Sequence, residues 1–370
     1  MDDIIRLARP DIVALSPYSS ARVEGEQKNM SVYLDANESP YPPFPGTADV
    51  VGLNRYPEPQ PLHLLERFAA LYNVPVERLF FSRGANEAID LLVRVFCAAG
   101  SDGILIAPPA FAMYAVSAEI QGAAIFEVPL LAESGFQLDV PAMLALRHKH
   151  PSIKLVFVTS PNNPTSNLLR RADVLRLADE LRGMAIVVAD QTYVEYSGEP
   201  PLSAEIATHP NLVVLRTLSK EYGLCGERFG ITVAEPSVIG LLRRVMAPYS
   251  LTQTAIRAVT EAMSDEGLAY ARHNRTILLE ERRRLETAFA ESPAVRRVLP
   301  SDTNFLIVET AQPALLIEMM AAAGIKIRDR SRAPGLEGCI RISPGTPTQN
   351  DAMLAVFERY AHSVAAAIGT

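Results

Sequence analysis

Residues 154–190 read "KLVFVTSPNNPTSNLLRRADVLRLADELRGMAIVVAD", and this stretch decides the fold. Two apolar runs, "KLVFV" (154–158) and "AIVVA" (185–189), have the length and β-branched content of buried strands. Between them, residues 170–183 space their apolar side chains as an amphipathic helix does, and the helix stops at Gly183. A strand, a helix and a second strand in this order predict a parallel βαβ unit.

Five more short apolar runs extend the pattern in both directions. They are "RLFF" (78–81), "GILIA" (103–107), "AIFEV" (124–128), "NLVVL" (211–215) and "GITVA" (230–234). All seven runs read as buried strands, and "NEAIDLLVRVFCAAG" (86–100) between the first two reads as a helix ended by Gly100. The pattern predicts an α/β fold whose large domain holds a mostly parallel seven-stranded sheet covered by helices.

A different pattern follows a long charged helix predicted at 273–292. The runs "NFLIVE" (304–309) and "CIRIS" (339–343), together with a helix from about Asn350, predict a smaller α+β domain. We predict an N-terminal arm over 1–33, the large domain over 34–255 and the small domain over 256–370. A chain of 370 residues is longer than one core usually serves, which favours two domains.

The composition narrows the class of protein. The net charge of −7 disfavours a general nucleic-acid or anionic-membrane binder, and no apolar segment is long enough to span a membrane. The three cysteines lack any metal-ligand or disulfide spacing, so we predict no metal site and a reducing compartment. The N-terminus lacks the pattern of a signal peptide. We therefore expect a cytoplasmic protein.

Reactive side chains follow several of the predicted strands. Asn163 comes after "KLVFV", Asp190 ends "AIVVA" and Lys220 follows "NLVVL". In open α/β sheets, ligands bind at the carboxyl ends of the strands, so these residues are candidates for one site. Taken singly, each has a plainer explanation: a solvated loop lysine, a carboxylate that caps a turn, or a βα turn rich in turn formers.

Taken together, the motifs resemble those of the fold-type-I pyridoxal-phosphate aminotransferases, and within them the histidinol-phosphate aminotransferases. The resemblance spans nearly the whole chain in one order. Its motifs are "LDANESPY" (34–41), "NRYP" (54–57), "RGANEAIDLL" (83–92), "PPAFAMY" (108–114), "SPNNPT" (160–165), "ADQTYVEY" (189–196), "LRTLSKEYGLCGERFG" (215–230), "APYSL" (247–251), "TNFLIV" (303–308) and "IRDRSRAPGLEGCIRISPGT" (327–346).

The resemblance implies pyridoxal 5′-phosphate as the cofactor and assigns roles around its ring. Lys220 would bind the cofactor covalently and then shuttle a proton. Asp190 would face the ring nitrogen, and Tyr193 and Asn163 would hydrogen-bond the ring oxygen. Phe111 would stack on the ring.

The resemblance also implies a phosphate site and a dimer. Ala85, Asn86, Ser219 and Arg228 would hold the cofactor phosphate, since a helix start and a guanidinium both suit an anion. Tyr56 would reach the same phosphate from the neighbouring subunit of a homodimer.

Substrate residues follow from the same resemblance. Arg341 would grip the carboxylate of an amino acid, and Arg328 would add the second cation that a phosphate ester needs. Tyr18 and Asn37 would complete the substrate site. Taken alone, an arginine at either position would more often form a surface ion pair.

Three residues depart from the family pattern. Ser166 replaces the usual glycine after "PNNPT", and a positive φ there would cost some strain. Gln191 replaces a glutamate. Glu227 adjoins Arg228, and an ion pair between the two would weaken the hold on a phosphate.

These observations predict transfer of an amino group between L-histidinol phosphate and 2-oxoglutarate, with imidazole acetol phosphate and L-glutamate as the other pair. Two alternatives share the scaffold: an aromatic amino-acid aminotransferase and a threonine-phosphate decarboxylase. A non-catalytic regulator is a third alternative, which the intact Lys220 and the lack of room for a DNA-binding segment disfavour.

Overall fold

A computed structural model of the protein describes residues 3–17, 36–41, 43 and 52–368. In these ranges the strands form one seven-stranded and one four-stranded sheet. Helices cover the larger sheet on both faces: along its central strand, Val187 and Ala189 belong to one apolar cluster, while Ile186 and Val188 belong to the other. This period of two is that of a strand buried on both sides. The predicted α/β class with a smaller second unit is confirmed.

The larger sheet contains every strand predicted for it. Its order is β1-β7-β6-β5-β4-β2-β3, and β7 runs antiparallel to both neighbours while the remaining pairs are parallel. The strands are β1 (Leu79–Ser82), β2 (Gly103–Ile106), β3 (Ala124–Glu127), β4 (Ile153–Thr159), β5 (Ile186–Asp190), β6 (Leu212–Thr217) and β7 (Gly230–Val233).

One of these strands is not buried as predicted. Ala124 and Glu127 of β3 are exposed, and the two residues between them are half-buried. β3 lies at one edge of the sheet and has a strand neighbour on one side only, whereas β1, at the other edge, is buried because α3, α4 and α8 pack against it. An apolar run alone does not distinguish an edge strand from a central one.

Helices of the large unit lie between its strands and against its faces. The predicted helices at 86–100 and 170–183 are both present, the first beginning two residues earlier. The bounds are α1 (Asp3–Leu7), α2 (Pro10–Ala14), α3 (Leu62–Tyr72), α4 (Gly84–Phe96), α5 (Met113–Gln121), α6 (Val140–Lys149), α7 (Arg171–Glu180), α8 (Pro236–Val245) and α9 (Gln253–Ala262).

The smaller unit begins with a helix longer than predicted. It starts at Asp265 rather than residue 273, because the Ser264 side chain accepts a hydrogen bond from the Gly267 N–H and caps it there. The four strands pair antiparallel in the order β10-β11-β9-β8. The elements are α10 (Asp265–Ala290), β8 (Val295–Val298), β9 (Leu306–Thr310), α11 (Pro313–Ala322), β10 (Arg328–Asp329), β11 (Cys339–Ile342) and α12 (Pro347–Ile368).

Part of the predicted N-terminal arm is described. Ile4, Leu7 and Ile12 of its two short helices are buried in the same apolar cluster as α4 and α8. The Arg9 N–H also donates to the Val95 carbonyl at 3.0 Å. The boundaries 1–33, 34–255 and 256–370 remain predictions. Over the described residues, no helix is long and apolar enough to cross a membrane.

Candidate active site

A cavity of about 620 Å³ opens at the carboxyl ends of the parallel strands. The register brings those ends level, with Thr159 of β4 opposite Asp190 of β5 and Asp190 opposite Leu215 of β6. Residues of β10 and β11 in the small sheet line another side of the cavity. Among the lining residues are Ala85, Asn86, Phe111, Asn163, Asp190, Tyr193, Ser219, Lys220, Arg228, Arg328 and Arg341.

Lys220 stands in the turn that follows β6, and its ammonium group faces an aromatic ring. Nζ lies 5.5 Å from the centroid of the Tyr193 ring. Burial lowers the pKa of Lys220 below its usual value, and the charge of Arg341 lowers it further. A lowered pKa increases the fraction of free amine, which is the form that attacks a carbonyl.

Asp190, the last residue of β5, is 3% exposed. One carboxylate oxygen accepts hydrogen bonds from the Thr192 hydroxyl at 2.5 Å and the Thr192 N–H at 3.1 Å. The other accepts one from the Tyr114 hydroxyl at 2.7 Å. Burial raises the pKa of Asp190, and these hydrogen bonds oppose the rise. A buried carboxylate held in this way is suited to a cationic partner.

Asn163 connects two other predicted residues. Its amide nitrogen donates to the Tyr193 hydroxyl at 3.3 Å, and its amide oxygen accepts from Arg341 Nη1 at 2.8 Å. Burial raises the pKa of Tyr193 to about 12, so the phenol stays protonated at neutral pH. The Tyr193 ring packs edge-on against Phe305 with 5.4 Å between centroids. The tyrosine is thereby fixed beside the lysine.

The start of α4 and the turn before β7 form a narrow cradle. A Cβ on Gly84, whose φ is +73°, would lie 2.5 Å from Arg228 Nη2. A Cβ on Gly230 would lie 2.4 Å from the Gly84 carbonyl carbon and 2.7 Å from the Ala85 nitrogen. Only glycine at both positions lets the guanidinium and the strand approach the helix start this closely. Ala85 and Asn86 at that helix start line the cavity together with Arg228, and the N–H groups of a helix start are suited to an anion.

Ser219 and Phe111 complete the wall around this cradle. The Thr217 hydroxyl donates to Ser219 Oγ at 2.9 Å and accepts from the Ser219 N–H at 3.2 Å. Phe111 contacts the Tyr114 ring edge-on at 5.8 Å, and so lies beside the tyrosine that donates to Asp190.

The small sheet contributes cations to the opposite side. Arg341 of β11 lies over the Phe305 ring, 5.1 Å from its centroid, and is directly opposite Arg328 of β10 in the antiparallel register. Burial lowers the pKa of Arg341, and the like charge of Arg328 lowers it too. The small sheet therefore presents a cationic face to the cavity, suited to an anionic substrate.

Two of the predicted residues that the structure describes, Asn37 and Tyr56, are not part of this lining. Tyr18 lies outside the described residues. Asn37 is exposed with a φ of +54°. Tyr56 is 49% exposed and stacks on Tyr249 with 4.4 Å between ring centroids. Within one chain, the structure brings neither Asn37 nor Tyr56 to the cavity.

Several residues of the site were not predicted. Tyr114 and Thr192 bind Asp190, and Arg330 lines the cavity beside the two predicted arginines. Thr192 could have been found, because a polar residue two positions after an aspartate often donates to its carboxylate. Nothing in the sequence signals the contact between Tyr114 and Asp190, which are 76 residues apart.

The three departures from the family pattern have structural explanations. Ser166 has a φ of +66°, and its hydroxyl lies within hydrogen-bond distance of two carbonyl oxygens, that of Thr165 at 2.6 Å and that of Pro300 at 3.0 Å. The Gln191 side chain accepts from the Leu202 N–H at 2.8 Å. Among the described residues, no ion pair joins Glu227 to Arg228, whose Nη1 donates instead to the Cys225 carbonyl at 3.0 Å. The anticipated ion pair is absent there.

The residues present fit a flat aromatic group that carries a phosphate. A buried carboxylate suited to a ring cation stands at the end of β5, and an anion cradle with glycine clearance stands at the start of α4. The lysine with a lowered pKa lines the same cavity. Over the described residues, no cluster of three or more His, Cys, Asp or Glu is placed to hold a metal ion.

Comparisons with known proteins agree with this arrangement. The family model for aminotransferase class I and II matches residues 28–357. A histidinol-phosphate aminotransferase of Stenotrophomonas maltophilia is 43% identical over 96% of this chain and 96% of its own, and one of Aeromonas salmonicida is 42% identical over 95% and 97%. The crystal structure of histidinol-phosphate aminotransferase from Sinorhizobium meliloti in complex with pyridoxal-5′-phosphate superposes with a TM-score of 0.77 at 23% identity, over 89% of this chain and 90% of that one.

At that identity the crystal structure supports the fold, whereas the two sequence relatives and the family model cover nearly the whole chain. The protein belongs to the class I and II aminotransferases and, within them, to the histidinol-phosphate aminotransferase family.

Proposed function

We propose that the protein transfers an amino group between L-histidinol phosphate and 2-oxoglutarate, forming imidazole acetol phosphate and L-glutamate, a step of histidine biosynthesis. The observation that carries this proposal is one cavity lined by an amine with a lowered pKa, a buried carboxylate, an anion cradle and the cationic face of the small sheet. The first three features serve a transaminase cofactor, and the fourth selects anionic substrates.

The cofactor is pyridoxal 5′-phosphate, which supplies a conjugated ring able to accept the electron pair left when a substrate C–H proton is removed. Ala85, Asn86, Ser219 and Arg228 hold its phosphate, using the N–H groups at the start of α4 and the fork of the guanidinium. Phe111 covers one face of the ring.

Lys220 moves the proton. Lys220 would anchor the cofactor between turnovers, and its neutral Nζ would accept the proton from the substrate carbon that bears the amine. The lowered pKa of Lys220 supports this role, because a fully protonated ammonium could not accept a proton.

Asp190 holds a proton at the ring nitrogen through a charge-assisted contact. Tyr114 and Thr192 orient the carboxylate by donating to both of its oxygens. Asn163 and Tyr193 bind the ring oxygen, and the hydrogen bond between their side chains positions both donors.

Arg341 and Arg328 bind the anionic end of either substrate, with Tyr18 and Asn37 as further contacts. The two arginines are directly opposite each other on adjacent antiparallel strands, so one carboxylate or phosphate can bind between their guanidinium groups. A homodimer completes the site by supplying Tyr56 from the second subunit. We place the enzyme in the cytoplasm; the three cysteines, all free, are consistent with a reducing compartment.

The test of this function uses protein saturated with pyridoxal 5′-phosphate, supplied with glutamate and imidazole acetol phosphate. We expect 2-oxoglutarate and histidinol phosphate to form in equal amounts. Lys220→Ala should abolish turnover and the visible absorbance of the lysine-bound cofactor. If neither product forms with the cofactor bound, the substrate assignment is wrong.

The two alternatives give different results in the same assay. Release of carbon dioxide from threonine phosphate would indicate the decarboxylase. A higher kcat/KM for phenylalanine than for histidinol phosphate would indicate the aromatic enzyme. Arg328→Ala separates them further, since it should reduce kcat/KM for histidinol phosphate more than for phenylalanine.

The shared site can be tested by mixing two inactive chains. In a dimer of one Lys220→Ala and one Tyr56→Ala chain, one site carries both changes and the other carries neither. Co-produced variants should therefore exceed the mean activity of the two parent variants. Activity equal to that mean would place Tyr56 outside the partner's site.

A further inference from the structure

Arg330 is a third guanidinium on the cationic side of the cavity. It follows β10 directly, two positions after Arg328, so the two side chains leave the extended chain on the same side. Arg341 is opposite Arg328 in register, which places all three on one face of the small sheet. All three line the cavity.

The backbone around Arg330 is held firmly. Its N–H donates to the Cys339 carbonyl at 2.9 Å, and its carbonyl accepts from the Ala333 N–H at 2.9 Å. The first bond continues the β10–β11 pairing by one residue and the second closes the turn that follows, so both sides of the Arg330 backbone are held.

The Arg330 side chain has unused binding capacity. Its Nε is buried and has no hydrogen-bond partner in the part of the chain that the structure describes. Within the same ranges, none of Arg328, Arg330 and Arg341 forms an ion pair with a carboxylate. A buried donor without a partner is costly, as are like charges held together, and an anion bound between the three would remove both costs.

Arg330 interacts electrostatically with Tyr193, which also lines the cavity. Burial raises the pKa of Tyr193, and the charge of Arg330 is one of those that oppose this rise. Burial lowers the pKa of Arg330, and the charges of Arg341 and Arg328 lower it further. Burial and repulsion from the neighbouring guanidiniums thus both lower the pKa of Arg330, which adjoins the two arginines proposed to bind the substrate.

The number of cations matters for the choice of anion. A carboxylate carries one charge, which a single bidentate arginine matches, whereas a phosphate ester carries about two charges at neutral pH and three acceptor oxygens. Arg341 and Arg328 match the charge of a phosphate ester. A third guanidinium adds donors that the phosphate can use and a carboxylate cannot.

We propose that Arg330 is a specificity residue that binds the phosphate of phosphorylated substrates and favours them over carboxylate substrates. This rests on the proposed function, since it assumes that a phosphate ester enters the cavity opposite the cofactor cradle. The ligand class is a phosphate monoester of an alcohol that also carries a primary amine.

The experiment compares Arg330→Gln with Arg332→Gln in the cofactor-saturated enzyme. Arg332 is exposed, is two residues farther along and is outside the lining of the cavity, so it controls for loss of one positive charge in this segment. We expect Arg330→Gln to lower kcat/KM for histidinol phosphate by about 10- to 100-fold and that for the glutamate half-reaction by less than about threefold. Arg332→Gln should change both by less than about twofold.

A conservative variant separates binding from structure. Arg330→Lys keeps the charge and loses the fork, so it should recover part of the loss for histidinol phosphate. Equal losses for both substrates in Arg330→Gln would show a structural role and overturn the proposal, as would an unchanged kcat/KM for histidinol phosphate.

Inhibition by inorganic phosphate provides a test that does not require turnover of histidinol phosphate. It should compete with glutamate in the half-reaction, and its inhibition constant should rise about tenfold or more in Arg330→Gln. If the wild-type enzyme does not turn over histidinol phosphate but this rise occurs, the proposed function fails while the phosphate role of Arg330 stands. If the inhibition constant does not change, the role of Arg330 fails by itself.

Discussion

Asn163 and Arg341 join the two sheets of the molecule through a hydrogen bond of 2.8 Å from Arg341 Nη1 to the Asn163 amide oxygen. Asn163 follows β4 of the large sheet, and Arg341 belongs to β11 of the small sheet. The other end of the Asn163 amide donates to Tyr193. A single side chain therefore couples the arginine proposed to bind the substrate to the tyrosine proposed to bind the cofactor.

The first prediction concerns this link. Arg341→Lys keeps the charge but replaces a planar fork with one ammonium, which cannot bind Asn163 and both oxygens of a carboxylate together. We expect kcat/KM for glutamate to fall about 100-fold, corresponding to about 3 kcal/mol of transition-state stabilisation. The matched control is Arg297→Lys, an exposed arginine of β8 paired with Glu309 at 3.2 Å, which should leave the kinetics unchanged. An Arg341→Lys enzyme as active as the wild type would contradict the role of the fork.

The second prediction concerns the pH dependence of activity. The hydrogen bond from Tyr114 lowers the pKa of Asp190, opposing the rise caused by burial. Tyr114→Phe removes this bond, so the pKa of Asp190 should rise. Activity requires the ionised carboxylate and is lost as the pH falls through this pKa, so the acidic limb of the kcat profile should move to higher pH.

Tyr196→Phe is the control for this change. Tyr196 is also a buried tyrosine, but it does not line the cavity. Its replacement should leave the acidic limb in place. If the acidic limb of the kcat profile does not move in Tyr114→Phe, that limb reports the titration of a group other than Asp190.

Sequence reasoning found the part of the site that strand ends determine. Parallel strands present their carboxyl ends at one edge, so the order of strands and polar residues along the chain is enough to group Asn163, Asp190 and Lys220. Side-chain contacts between distant segments could not be predicted in this way. Tyr114 reaches Asp190 while its ring stacks on Phe157 of β4, with 4.7 Å between centroids, and that packing depends on the whole core.

The cationic side of the cavity shows the same limit. The motif "IRDRSRAPGLEGCIRIS" holds four arginines before "IS", and the family resemblance selected Arg328 and Arg341. Which of the others faces the cavity depends on a strand of two residues and its register with β11. That register is a tertiary property, so Arg330 was missed and Arg332 could not be told apart from it.

The third prediction tests the cradle at the start of α4. Gly230→Ala would place a Cβ 2.4 Å from the Gly84 carbonyl carbon, and neither backbone can move without disturbing the strand or the helix. We expect the variant to lose at least about 2 kcal/mol of unfolding free energy and to release pyridoxal 5′-phosphate more readily.

Gly226→Ala is the matched control, because a Cβ there would meet nothing within 4 Å. It should change the free energy of unfolding by less than about 0.5 kcal/mol. Urea denaturation and retention of the cofactor on gel filtration measure the two effects. Equal free energies of unfolding for Gly230→Ala and Gly226→Ala would show that β7 and the start of α4 can move apart to accept a Cβ.

The fourth prediction separates two properties of Ser166. Its backbone has a φ of +66°, which costs a residue with a Cβ about 1–2 kcal/mol, while its hydroxyl is shared between the Thr165 carbonyl at 2.6 Å and the Pro300 carbonyl at 3.0 Å. Both Ser166→Gly and Ser166→Ala lose the hydroxyl and its hydrogen bond. Glycine adopts a positive φ without strain, whereas alanine keeps the strain because it has a Cβ. We therefore expect the alanine variant to be less stable than the glycine variant by about 1 kcal/mol in urea denaturation.

The wild-type protein should in turn be more stable than the alanine variant, because that variant lacks the buried Ser166 hydroxyl, which the Thr165 and Pro300 carbonyls share. Pro300 lies between β8 and β9, so this hydrogen bond also ties the turn after β4 to the small unit. If the alanine and glycine variants unfold at the same urea concentration, the positive φ is not a source of strain, and the serine is held there by its hydroxyl alone.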